Sequence, residues 1–161
     1  MSRENLEMPV DTMPSAEDCN CFAVRAAARH VTQIYDQFLA PIGLRTTQFG
    51  ILMRLKRKGP LTINALAEEM VTDRTTLGRN ILPLERDGLI RIAPAASDRR
   101  AKELHLTKAG ESRLQAGRKR WVAAQARFES AFGTKRAADL RALLRAVVAS
   151  ELAPTAQTTD R

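Results

Sequence analysis

Aromatic residues are scarce in this chain of 161: one Trp, one Tyr and five Phe. Its core therefore has to come from Leu, Ile, Val and Ala, and long Ala/Leu/Arg stretches favour helix. Cysteine is scarcer still. Cys19 and Cys21 cannot build the disulfide framework of a small secreted domain, and they fit a reducing compartment. No apolar run reaches the roughly 18 residues of a membrane-spanning helix, and the N-terminus has no basic-then-apolar leader pattern. The expected compartment is the cytoplasm, with no membrane partner. Also missing are a GxSxG elbow, a Gly-rich phosphate loop, an HExxH pair and a convincing acid/base pair, so no enzyme and no cofactor are expected. Cys19, Cys21, His30 and His105 lack compact ligand spacing, so no metal is expected either.

Basic charge is what the chain has in excess. The formal net charge is +8 and the pI about 10.3, which points to a polyanionic partner. The charge is uneven: residues 1–18 hold Arg3 against Glu4, Glu7, Asp11, Glu17 and Asp18, a net of −4, which leaves +12 on the rest. Net charge alone fits duplex DNA, RNA or an anionic membrane.

The stretch from Thr72 to Lys102 narrows that choice. Asp73 can cap a helix by accepting from backbone N–H groups of its first turn. Leu77, Ile81 and Leu84 then recur at helical spacing and form one apolar stripe. Opposite them stand Thr75, Arg79 and Arg86, flanked by Arg74, Thr76 and Asn80. A helix held down on one side, with short polar and guanidinium groups on the other, suits the major groove of duplex DNA. Pro83 removes the bond its residue would donate to the Arg79 carbonyl, so any bend is expected between Arg79 and Pro83. Gly78 costs about 1 kcal/mol of helix propensity relative to Ala; its missing side chain leaves room for DNA or for a neighbouring helix. Gly88 ends the helix. Leu89 to Ala93 reads as a strand, and Lys102, Leu104 and Leu106 alternate as a second, with Asp98, Arg99 and Arg100 near the tip.

Around this stretch the chain divides into an acidic mobile tail (1–16), an N-terminal helix (17–45), the helix-and-hairpin core (46–106), two C-terminal helices (107–153) and a second tail (154–161). The first helix, from Glu17, has the apolar stripe Val24, Ala27, Val31, Ile34, Tyr35 and Phe38, and Pro41 with Gly43 closes it. Thr46 is expected to cap the next helix, which contains Phe49, Leu52, Met53 and Leu55. The run Arg54, Lys56, Arg57 and Lys58 at its end suits the helix dipole or a phosphate. Leu61 can add a short strand to the hairpin, and Thr62 caps a helix with Leu66 and Met70 facing inward. Thr107 caps a long helix to about Phe132, with Leu114, Trp121 and Phe128 seven apart as a packing seam. After Gly133, Thr134 is expected to cap a last helix faced by Leu140, Leu143, Leu144, Val147 and Val148. The expected fold class is mostly α with a small β-wing, a winged helix-turn-helix core with helices added at both ends.

Four spaced motifs resemble the MarR family of transcriptional regulators: Thr76-Leu77-x-Arg79, Leu84-Glu85-x-x-Gly88-Leu89-Ile90, Asp98-Arg99-Arg100 and Thr107-x-x-Gly110. The resemblance extends more loosely from about Cys19 to about Leu152. It implies a homodimer interlocked through the terminal helices, with two recognition helices in successive major grooves of a pseudo-palindromic operator about 34 Å apart. It further implies that Asp98 and its arginines shape the wing and that Arg100 enters the minor groove. The residues expected at DNA are thus Arg74, Thr75, Thr76, Arg79, Asn80, Asp98, Arg99 and Arg100, with Asp98 holding an arginine by a charge-assisted bond. Members of the family commonly respond to a small effector, for which Tyr35, Phe38, Phe49 and Met53 are candidate pocket residues, although core packing explains them equally well. Cys21-Phe22-Ala23 also looks like the reactive-cysteine site of the peroxide-sensing OhrR branch. Cys21 at a helix start, with Arg25 one turn on, has the setting of a reactive thiol. That branch's cysteine bonds to tyrosines, whereas Arg25, Thr47 and Phe49 stand where tyrosine is called for. Cys19 and Cys21 splay apart across a helix, so a bridge within one chain requires unwinding.

Overall fold

The computed structural model describes residues 15–95 and 98–150. The expected tails before Ser15 and from 154 to 161, and the hairpin-tip residues Ala96 and Ser97, lie outside them.

A 3-10 turn, Ala16–Asp18, comes first, capped by the Ser15 hydroxyl, which accepts from the Glu17 N–H at 3.1 Å. The helix expected from Glu17 therefore starts later, as α1 (Asn20–Leu39), after Cys19 turns extended. Pro41 and Gly43 end it as expected, through a 3-10 turn at Ala40–Ile42 and left-handed backbone at Gly43 (φ 69°). Of its apolar stripe, Tyr35 is buried, Val31, Ile34 and Phe38 are half-buried, and Val24 and Ala27 face solvent. Leu39, outside that stripe, is fully buried.

Helix α2 (Thr46–Lys58) is not capped by Thr46. Arg45 holds the cap position, where the Gln48 side chain accepts its N–H at 2.9 Å. Thr46 instead donates both its N–H and its hydroxyl to Asp36 Oδ1 of α1, at 2.6 and 2.7 Å. A contact between helices thus does what a local cap was expected to do. Phe49, Ile51, Leu52 and Leu55 of α2 enter the core.

Next come β1 (Leu61–Thr62), α3 (Ile63–Glu69) and α4 (Arg74–Arg86). Thr62 caps α3 through Ala65 N–H at 3.2 Å, and Asp73 caps α4 through Thr76 N–H at 2.8 Å. The wing is β2 (Ile90–Pro94) and β3 (Lys102–Leu106), in a sheet ordered β1-β3-β2. Both pairings are antiparallel, with Leu104 opposite Leu61 on one side and Ile92 on the other. Leu89, expected in the strand, is held elsewhere: its N–H donates to the Leu84 carbonyl, and its own carbonyl accepts from Thr107 N–H at 3.1 Å.

Helix α5 (Lys108–Phe132) is capped by Thr107, whose hydroxyl accepts from Gly110 N–H at 3.0 Å. Its buried line is Gly110, Gly117 and Ala124, seven apart but four residues out of step with the expected seam. Small residues let α5 approach closely: a Cβ on Gly117 would lie 2.6 Å from the Phe49 ring. Leu114 and Trp121 pack at the core margin, and Phe128 stacks on Phe132 with centroids 5.4 Å apart. Gly133 (φ 96°) ends α5 and is itself the N-cap of α6 (Thr134–Ala149), so Thr134 is not the cap. Most of the apolar face expected on α6 is uncovered: Leu143, Leu144, Val147 and Val148 are all exposed.

The result is mostly helical with a small three-stranded antiparallel wing, as expected. No helix among the described residues is long and apolar enough to cross a membrane.

Candidate nucleic-acid interface

Leu77, Ile81 and Leu84 are at most 2% exposed and fix which side of α4 faces inward. Thr75, Thr76 and Arg79 are thereby turned outward, with Arg74 beside them in the first turn and Asn80 half-buried. Asn80 Nδ2 donates to the Thr76 carbonyl at 3.0 Å, which leaves its side-chain oxygen as an acceptor. Hydrogen bonding from Thr76, through its side chain and then its backbone, holds the Asp73 carboxyl below its usual value. The first turn is thus tied to an ionised cap. A Cβ on Gly78 would meet nothing within 4 Å among the described residues, so none of their helices occupies that side of α4.

Asp98 shapes the wing by a different bond from the one expected. Its carboxylate accepts the Arg100 backbone N–H at 2.9 Å, and its carbonyl accepts the Ala101 N–H at 3.0 Å. Short reach favours this local turn over a guanidinium partner. The Arg99 and Arg100 side chains are consequently left to solvent. None of the ion pairs among the described residues involves Arg74, Arg79, Arg99 or Arg100. Arg86, by contrast, pairs with Asp87 at 2.9 Å. Farther along the wing, Arg91 Nη2 lies 3.4 Å from His105 Nδ1, and His105 Nε2 is enclosed without a hydrogen-bond partner.

The basic run ending α2 is largely structural. Lys56 pairs with Glu111 at 2.7 Å, and Lys58 and Arg57 both reach Glu69 of α3. The hydrogen bond from Lys58 holds the Glu69 carboxyl below its usual value. Arg54 differs: Nη1 donates to the Gly50 carbonyl at 3.1 Å, while Nε is enclosed and unpartnered.

Arg54 stands at a cavity of about 480 Å³ between α2 and α5, floored by Phe49, Met53, Leu114 and Trp121 and rimmed by Arg54, Arg57 and Arg118. A second cavity, of about 450 Å³, lies behind α4 and shares Phe49, Met53, Arg54 and Trp121 with the first. Of the expected effector residues, Phe49 and Met53 line this space; Tyr35 and Phe38 do not. Tyr35 is committed to α5, its hydroxyl donating to Gln125 Oε1, and burial, then the nearby Glu129 charge, raises its pKa against the opposing pull of Arg141. Sequence reading missed Arg54, Arg118 and Trp121 as a cavity wall, because α2 and α5 are far apart in the chain and only the fold joins them. Cys19 is half-buried and precedes α1, and Cys21 is exposed in its first turn. Tyr35 lies about four turns beyond Cys21 on the same helix, so it is no partner for that thiol within one chain. Among the described residues no group of His, Cys, Asp and Glu is placed to hold a metal.

Comparison with known proteins agrees with this geometry. The MarR family model matches residues 44–102. An uncharacterized HTH-type transcriptional regulator of Bacillus cereus is 31% identical over 100 residues, 62% of this chain and 63% of that protein. The match therefore spans less than two thirds of that curated relative's length. An organic hydroperoxide resistance transcriptional regulator of Bacillus subtilis is 28% identical over 90 residues, 56% of this chain and 61% of its own. Among solved structures, the M. tuberculosis transcriptional regulator MosR in complex with DNA is 36% identical. The alignment covers 84% of this chain and all of the other, with a TM-score of 0.70.

Proposed function

The chain belongs to the MarR family of transcriptional regulators, and we propose that it acts as a homodimeric repressor on a pseudo-palindromic operator, released by a small effector. One observation carries the DNA reading. The outward side of α4 and the wing present Arg79, Arg99 and Arg100 free of the ion pairs formed among the described residues, above an apolar stripe that locks their direction. In this arrangement Arg79 reads a guanine through O6 and N7, and Thr75, Thr76 and Asn80 contact neighbouring bases or phosphate. Arg74 seats the helix on the backbone, while Arg99 and Arg100 follow phosphate into the minor groove. The DNA complex of the 36% identical relative supports the same partner. Asp98 acts through the turn it holds and does not touch DNA.

The exposed apolar face of α6, together with Phe22 and Val24 of α1, supports the dimer, since single chains rarely leave such a face to water. The cavity between α2 and α5 supports the effector. An apolar floor with a cationic rim suits an aromatic or acyl carboxylate, and the space extends behind α4, where occupancy would bear on the reading helix. A second reading, a thiol-based peroxide response through Cys21, rests on its exposure at the start of α1 and on the Bacillus subtilis relative.

Selection of bound sequences from a random duplex pool, followed by salt titration, tests the proposal. The expected products are two related half-sites about one helical turn apart, bound by a sedimenting dimer, with a guanine preference lost in Arg79→Ala. Val147→Glu should yield monomers that no longer bind. Wild type that sediments as a monomer, or binding indifferent to Arg79→Ala, would refute it. Release by carboxylates in both wild type and Cys21→Ser, set against release by peroxide in wild type alone, separates the two switches.

A further inference from the structure

Most exposed large apolar side chains among the described residues have a role assigned above, but three, Val71, Leu82 and Val122, do not. Phe22, Val24 and the α6 residues belong to the proposed dimer face, and Met53 lines the effector cavity. Of these three, only Leu82 stands on α4, where it is 65% exposed on the side turned away from the core. At 100° per residue, Thr75, Arg79, Leu82 and Arg86 lie within about 60° of one another, directly opposite Leu77, Ile81 and Leu84. Gly78, one turn before Leu82, sits at the edge of that face, and no atom of the described residues lies within 4 Å of where its side chain would be.

We infer that Leu82 is a specificity-determining residue that seats a thymine methyl group in the major groove. This inference rests on the DNA-reading role of α4 proposed above. The thymine C5 methyl is the apolar feature that distinguishes one base in that groove, and an aliphatic side chain is the group that recognises it. A neighbouring cation argues for this occupant over another protein. Arg79, one turn before Leu82, enters none of the ion pairs among the described residues, so a surface covering Leu82 must also offer that guanidinium an acceptor, while Arg86, one turn after, is already paired with Asp87. A nucleic-acid groove supplies that acceptor. Three residues of helix advance about 4.5 Å, against 3.4 Å per base pair, which places the thymine one or two pairs from the guanine read by Arg79.

The test uses the full-length chain and the duplex selected by wild type. Thymines of one half-site are replaced singly by deoxyuridine, which deletes only the methyl group, and binding is measured for wild type and Leu82→Ala. At one position beside the guanine, methyl removal should weaken wild type roughly fourfold and leave Leu82→Ala unchanged. Leu82 is not in the core, and circular dichroism should show the variant folded. Equal losses in both proteins at every position, no selected thymine near that guanine, or a Leu82→Ala variant altered in sedimentation would overturn the inference while leaving duplex binding in place. If wild type fails to bind duplex DNA, or Arg79→Ala keeps the guanine preference, the DNA-reading role itself fails and this inference with it.

Discussion

Gly110 at the start of α5 lies against the backbone of Leu89, the residue before the wing, so closely that a Cβ on Gly110 would sit 2.0 Å from the Leu89 carbonyl oxygen. That same carbonyl accepts the Thr107 N–H at 3.1 Å, and the single Thr107 hydroxyl proton is shared between it at 3.0 Å and the Gly88 carbonyl at 2.7 Å. The junction therefore joins the long helix to the DNA-side hairpin through backbone, where no side-chain rotation can make room. Gly110→Ala gains about 1 kcal/mol of helix propensity, yet overpacking against backbone costs about 1–3 kcal/mol or more. Overpacking wins. The thermal midpoint should fall by about 5 °C or more. A midpoint at or above that of wild type would show that the junction can open freely.

Gly78→Ala tests the opposite case. Its Cβ meets no atom of the described residues within 4 Å, so the propensity gain of about 1 kcal/mol appears undiminished, as a midpoint raised by about 2–4 °C. On the DNA-facing side the added methyl group stands between α4 and the groove, and operator affinity should drop although the fold is firmer. Stability and affinity rising together would place Gly78 away from the nucleic acid.

Such features differ in how far the sequence declares them. Asp73 and the Leu77–Ile81–Leu84 stripe are legible because cap and helix period are local rules, and both hold; the strand expected from Lys102 to Leu106 forms too, with Leu104 its one buried residue. The caps expected from Thr46 and Thr134 fail because a distant partner or the backbone itself prevails: Asp36 captures Thr46, and Gly133 takes the second cap. On α5 a large-residue seam is visible in the sequence, but burial follows Gly110, Gly117 and Ala124, because the core of this protein takes up helix backbone there in preference to bulk. The cavity wall made by Arg54, Arg118 and Trp121 could not be read at all. Nothing local marks residues that meet only when α2 and α5 pack.

Asp73 also predicts a pH dependence. Its folded pKa is lowered, so the cap contributes fully above the unfolded carboxylate value, about 3.9, and is lost as pH falls through the lower folded value. Asp73→Ala should melt below wild type at pH 7, and the gap should narrow as the pH is taken down through 4 towards 3. Asp73→Asn keeps a neutral acceptor and should stay near wild type throughout. A gap between Asp73→Ala and wild type that is the same at every pH would mean the carboxylate charge plays no part in the cap.

The turn between α3 and α4 holds strain that can be released. Thr72 N–H donates to the Ala67 carbonyl at 3.0 Å and Val71 N–H to the Glu68 carbonyl at 3.1 Å, the paired bonds of a Schellman motif. That motif puts Val71 at φ 51°, where a β-branched residue is strained by about 1–3 kcal/mol and glycine is not. Against this, glycine loses about 0.5–1 kcal/mol more backbone entropy on folding. The Val71 side chain is 70% exposed, so little burial is forfeited. Strain outweighs entropy here. Val71→Gly should raise the thermal midpoint by about 2–4 °C, and a glycine variant that melts lower would show that Val71 makes a contact worth more than the strain in its own backbone.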